Sequence, residues 1–99
     1  MQLGELDFRL IERLAEERLT PKAARREFDD YSYGHLRRRL ATLADNTSLV
    51  QRVGGALYEA TGAGEEAAEL RREYEADSEM SQVEFYDRLH TEILTEDDD

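Results

Sequence analysis

Residues 20–61 read TPKAARREFDDYSYGHLRRRLATLADNTSLVQRVGGALYEAT, and their punctuation decides the fold. Thr20-Pro21 is a helix start, with Thr as the cap and Pro at the first helical position, where its missing N–H costs nothing. The helix that follows, 21–28, is short, and Ala24 and Phe28 lie four apart on its core face. Asp29-Asp30-Tyr31 is a turn, and Ser32 is a second N-cap, opening a third helix over residues 32–45. On that helix Leu36, Leu40 and Leu43 form the buried stripe, with Tyr33 at its edge. Gly34, Arg38, Ala41 and Asp45 lie opposite, flanked by His35, Arg37 and Thr42. Three consecutive arginines cannot share a face: Arg38 points straight out, while Arg37 and Arg39 flank the core on opposite sides. Asn46-Thr47-Ser48 is a turn in which Asn46 can take the left-handed conformation that ends a helix. Residues 49–61 then read as a β-hairpin, two short strands about Gly54-Gly55, the pair supplying the positive φ angles of a tight turn.

Upstream, Leu3, Leu6, Leu10, Ile11 and Leu14 recur at helical spacing, which predicts an amphipathic first helix ending near Arg18. Downstream, Gly62-Ala63-Gly64 breaks the hairpin pattern. Beyond it Ala67, Leu70 and Tyr74 return to helical spacing, as do Val83, Tyr86, Leu89, Ile93 and Leu94. Ser81 with Glu84 three residues later fits a capping box, so the segment reads as two helices or one bent one. Glu96 and Asp97-Asp98-Asp99 are expected to be solvated.

Composition narrows the function classes. The chain has 99 residues, enough for one compact domain, and a formal charge of −11. It has no cysteine, which excludes disulfides, thiolate zinc sites and cysteine nucleophiles. No apolar run approaches the roughly 20 residues needed to span a bilayer, and no secretory signal pattern opens the sequence. A soluble, cytoplasmic protein is expected. Of 13 basic residues only Lys22 is a lysine. An acidic chain nearly free of lysine resembles the proteins of salt-in halophiles, whose surface carboxylates keep them dispersed in concentrated salt. The charge is also uneven. Residues 59–99 carry a net −12, whereas residues 18–52 carry 8 basic and 4 acidic side chains. A basic stretch inside an acidic protein points to a surface kept positive for a polyanion.

A helix, a short helix, a turn, a third helix and a hairpin follow one another in the order of a winged helix-turn-helix. In that arrangement the third helix enters the major groove of double-stranded DNA and the hairpin reaches the flanking backbone. The fold expected is therefore mainly α with a small β-hairpin. Residues 1–61 form the winged helix-turn-helix domain, and residues 62–99 an acidic helical tail. Ser32 caps a helix N-terminus that offers N–H groups to phosphate, and Gly34 and Ala41 let the helix backbone approach the bases. Arg37 and Arg38 have the reach and donors for guanine edges or phosphates, and Tyr33 and His35 have donors of their own. Lys22, Thr42 and, on the wing, Arg52 complete this set.

The stretch from Leu6 to Thr61 resembles the haloarchaeal winged-helix regulators related to phage repressors. The resemblance rests on the opening L-D-x-x-x-I-x-x-x-L-A-E-E, the T-P helix start, the Y-S before the third helix and the R-R within it. The hairpin R-V-G-G-A-L-Y-x-x-T matches as well. It implies sequence-specific DNA binding and transcriptional regulation, repression included, and it carries over to Tyr31, Ser32, Arg37, Arg38, Arg52, Gly54 and Gly55. Ala24 departs from the pattern, which has a large aliphatic residue there; so do the longer turn 46–48 and Gly34. The segment after Thr61 lies outside it.

The alternative is a winged-helix interaction module whose acidic tail docks a basic partner or mimics nucleic acid, since a fold does not define a function. The three arginines would then be solvated surface ions paired with Glu12, Glu16 or the tail carboxylates. The position of the tail discriminates: carboxylates over Arg37, Arg38 and Arg52 would close the DNA face. The tail stripe Leu70, Tyr74, Val83, Tyr86, Leu89 and Ile93 must be buried, either against the first helix or in a homodimer, and the homodimer is the reading favoured here. No phosphate loop, nucleophile motif or histidine pair suggests catalysis, a metal or a cofactor. His90 has Asp87 and Glu92 nearby but no second histidine, so zinc is not expected.

Overall fold

The computed structural model describes residues 3–77 and 79–94. It is mainly helical, with one two-stranded antiparallel hairpin, a layout compatible with a winged helix. The elements run α1 (Glu5–Glu16), α2 (Pro21–Glu27), α3 (Tyr33–Asn46), β1 (Val50–Gly54), β2 (Leu57–Ala60), α4 (Gly62–Ala76) and α5 (Gln82–Arg88). A π-helical turn, Leu89–Ile93, continues α5. Among the described residues no helix is long and apolar enough to cross a membrane. Residues 96–99, expected to be solvated, lie outside the described residues.

Local chemistry sets the helix starts. The Thr20 hydroxyl accepts from the Ala23 N–H, Ser32 from His35, Thr61 from Gly64 and Ser81 from Glu84. The Ser81 cap ends the ambiguity of the tail, which is two helices. The end of α3 differs from expectation. Asn46 is the last helical residue, and the stop comes from Thr47 in extended conformation, its hydroxyl donating to the Leu43 carbonyl at 2.6 Å. That side chain satisfies an open carbonyl without any left-handed residue.

The hairpin also departs in one detail. β1 and β2 pair Val50 with Ala60 and Arg52 with Tyr58, and then slip so that Gly54 faces Leu57. Val53 is the unpaired extra residue of a β-bulge. The slip makes Gly55-Ala56 the two-residue turn, so among the glycines Gly55 alone has positive φ, at 54°. Gly54 ends the strand and needs no special conformation. A third segment joins this sheet. Leu19, between α1 and α2, exchanges both backbone hydrogen bonds with Tyr58, at 3.0 and 2.9 Å. An isolated two-stranded ribbon is marginal, and this bridge, with Leu49, Val50 and Tyr58 buried beneath it, fixes the hairpin to the helices.

One core serves the whole chain. It joins Phe8, Leu10, Ile11 and Leu14 of α1 and Leu36, Leu40 and Leu43 of α3 to Ala67, Ala68, Leu70, Phe85 and Leu89 of the tail. The boundary at residue 61 thus divides the charge but not the core. α4 lies along α1, and Gly64 is what permits it to start there: a Cβ at that position would run into the Leu49 carbonyl. Phe85 stacks on Tyr74 and meets Phe8 edge-on at 5.2 Å, and the Tyr86 hydroxyl donates to the Leu3 carbonyl. The guanidinium of Arg71 lies over Phe8, Tyr74 and Phe85 at 4.6–5.1 Å. These contacts cover most of the stripe expected to form a dimer surface. Leu70 and Leu89 are buried within the chain, Tyr74, Tyr86 and Ile93 pack on the same core, and Val83 alone is largely free, at 79 % exposure. Apart from Val83, the stripe packs within the chain, on α1 and on the core that the tail shares with it.

Candidate nucleic-acid interface

The exposed side of α3 is built as its helical spacing requires. With Leu36, Leu40 and Leu43 fully buried, Arg37 and Arg38 stand exposed, and around Gly34 the space is open where a side chain would project. Tyr33 is 45 % exposed at the first turn. Tyr31, half-buried in the preceding loop, stacks on His35 with ring centroids 5.6 Å apart. That stack, together with the Ser32 hydroxyl on the His35 N–H at 3.1 Å, orders the entry to the helix. Thr42 is half-buried on its flank.

Arg39 belongs to the core instead. Its guanidinium grips Asp7 with two parallel hydrogen bonds, Nε to Oδ1 at 2.9 Å and Nη2 to Oδ2 at 2.8 Å. Asp7 is 3 % exposed, and among the described residues it is the one buried charged side chain. Its Oδ2 also accepts the Gly4 N–H at 2.8 Å, which closes the start of α1. One bidentate pair therefore ties α3 to α1 and sets the rotation of α3, which turns Arg37 and Arg38 outward. Their neighbour is paired with Asp7 and not with Glu12, Glu16 or the tail.

Arg52, on β1, is held as well. It donates to Asp45 at the outer end of α3, Nη1 to Oδ1 at 2.6 Å, and lies over the Tyr58 ring. The hydrogen bond holds the Asp45 carboxyl below its ordinary range and raises the Arg52 guanidinium. Gly54 and Gly55 are exposed at the hairpin tip. The structure thus brings Tyr31, Ser32, Tyr33, Gly34, His35, Arg37 and Arg38 to one end and face of α3. Lys22 sits on the adjoining α2, and Arg52 stands beside the far end of α3.

α2 adds two residues that the sequence reading passed over. With Pro21, Ala24 and Phe28 buried, Lys22, Arg25 and Arg26 share the exposed side. The signal was present as the i, i+3, i+4 spacing of the three cations, masked by the preference of arginine for the last turn of a helix. A pattern now emerges across the chain. Arg13, Arg18, Arg39, Arg52, Arg71, Arg72 and Arg88 each contact a carboxylate. Among the described residues six cations have no such partner. Arg9 lies over the Phe28 ring, and the other five are Lys22, Arg25, Arg26, Arg37 and Arg38, all on α2 and α3. Of the described tail carboxylates, Glu75 pairs with Arg71 and Glu73 and Glu92 pair with Arg88, and none reaches Arg37, Arg38 or Arg52. Among the described residues no group of His, Asp or Glu is arranged to hold a metal ion. Comparison with protein-family models, with curated proteins and with solved structures returned no match.

Proposed function

We propose that the protein is a winged helix-turn-helix regulator of transcription that binds double-stranded DNA, with α3 in the major groove, α2 across the backbone and the β1–β2 wing on the flanking phosphates. The observation that carries this reading is the placement of the unpaired cations. In a chain of net charge −11 carboxylates are abundant, yet among the described residues five of the six cations without one lie on two adjacent helices. Surface ion pairs contribute little to stability, so leaving these five unpaired costs the fold almost nothing and keeps them available to phosphate. The small residues of α3 and its capped N-terminus support close approach to the groove. Among the described residues the tail packs on α1 and no tail carboxylate reaches these side chains, which favours DNA over the interaction-module reading.

Fluorescence anisotropy with labelled duplex DNA across a potassium chloride series tests the proposal. Arg37→Ala and Arg38→Ala should each weaken binding, by about 1–3 kcal/mol where the side chain reads a base edge. Each lost phosphate contact should reduce the slope of log K against log salt by about 0.9. Arg72→Ala is the control, because Arg72 faces Glu16 on the α1–α4 side. Equal effects of all three substitutions refute the assignment.

A further inference from the structure

We infer that Asp45 is a selectivity residue of the wing: it occupies Arg52, the hairpin's one cation, and must be displaced before the wing can grip a DNA phosphate. The inference rests on the DNA-binding reading above and deepens it. Residues 50–60 contain a single basic side chain, Arg52. Its guanidinium is committed to Asp45 of α3 through Nη1 at 2.6 Å, with Nη2 at 3.5 Å from the second carboxylate oxygen. In this state the wing offers phosphate no net positive charge. Both side chains are about half exposed, so the pair is exchangeable: nothing packs it shut.

Asp45 has little structural reason to be a carboxylate. It lies in the last turn of α3, where the helix dipole disfavours a negative charge, and that turn holds no basic residue to offset it. Its one ion-pair partner among the described residues is Arg52. Among the described residues the other exposed cations of the candidate interface have no competing carboxylate, so Asp45 acts on the wing alone.

Exchange of partners has a consequence for counterions. A cation that binds a DNA phosphate releases about 0.9 of a condensed counterion. When Arg52 leaves Asp45 to do so, the bared carboxylate beside the DNA recruits a cation in return, and the net release from that contact falls towards zero. The wing therefore adds little to sequence-independent attraction. It engages only after the α2 and α3 contacts have placed it against the backbone, which penalises loose encounters and spares specific ones.

The test uses the full chain and a mixed-sequence duplex, because counterion release is independent of sequence. Binding of the wild type, Asp45→Asn, Arg52→Ala and the double variant is measured by anisotropy between 50 and 200 mM potassium chloride, with thermal unfolding to confirm folding. Asp45→Asn should bind about fourfold more tightly at 50 mM, with a slope steeper by about 0.9, so that the advantage shrinks to near parity at 200 mM. Arg52→Ala should weaken Asp45→Asn several-fold but the wild type hardly at all. Equal slopes for wild type and Asp45→Asn, or weaker binding by Asp45→Asn, overturn the proposal and leave the DNA-binding reading standing. Absence of binding by every variant overturns both.

Discussion

The arginine triplet should separate cleanly into one residue for stability and two for binding. Arg39 is the only described side chain that neutralises Asp7, a carboxylate 3 % exposed to solvent. Replacing Arg39 with Met keeps the aliphatic stem and leaves Asp7 buried with one remaining donor, the Gly4 N–H. Breaking a buried pair by removing one partner costs roughly 3–5 kcal/mol. Arg39 is about a quarter exposed, so water relieves part of that, and about 2–3 kcal/mol is the expected loss. For a domain of this size the melting temperature should fall by about 10–20 °C. Urea unfolding at fixed potassium chloride measures the change, and an unaltered m value shows that the native state stays compact. In an Asp7→Asn background the same Arg39→Met substitution should cost less than about 1 kcal/mol, because no buried charge is then abandoned. Arg37→Ala and Arg38→Ala should stay within about 0.5 kcal/mol of the wild type. An Arg39→Met cost that is the same in both backgrounds would refute the pairing argument, whatever its size.

Further substitutions probe the other junctions. Gly55→Val should destabilise the hairpin by about 1–3 kcal/mol, since a β-branched residue is strained at φ 54°, whereas Gly54→Val should leave cross-strand chemical shifts in place. Gly64→Ala should cost about 1–3 kcal/mol in urea unfolding, because the added methyl meets the Leu49 backbone and α4 must shift along α1. A chain ending at Thr61 loses Ala67, Leu70, Phe85 and Leu89 from the shared core and should show an unfolded circular dichroism spectrum; a folded spectrum would mean that the first 61 residues are a domain in their own right.

The features legible in the sequence are those written in neighbouring residues. Thr20-Pro21, Ser32 and Ser81 announce helix starts because a cap needs only its own turn, and the leucine spacing of α1 and α3 identifies their buried faces. The docking of the tail was not legible. An apolar stripe states that it must be covered, and Leu70 and Leu89 say nothing about whether α1 or a second chain covers them. The Arg39–Asp7 pair spans 32 residues, and nothing local distinguishes Arg39 from its two neighbours beyond its place beside the core. The bulge at Val53 escaped for a different reason: Gly54-Gly55 looks like a turn by itself, and only the Gly54–Leu57 register moves that turn one residue on. For the candidate interface, Arg37 and Arg38 followed from helical geometry. Arg25 and Arg26 did not, since their significance lies in the absence of carboxylate partners, which composition cannot reveal.

The two backbone hydrogen bonds between Leu19 and Tyr58 are the only backbone link between the hairpin and the segment joining α1 to α2. Both amides are locked by the same one-residue bridge, so neither can exchange its proton for deuterium until the bridge opens. Detachment of the hairpin from the body would release these two amides together while those within α1 and α3 stay protected. Deuterium uptake at Leu19 and Tyr58 is therefore a built-in gauge of hairpin motion, readable apart from global unfolding and without any label on the protein.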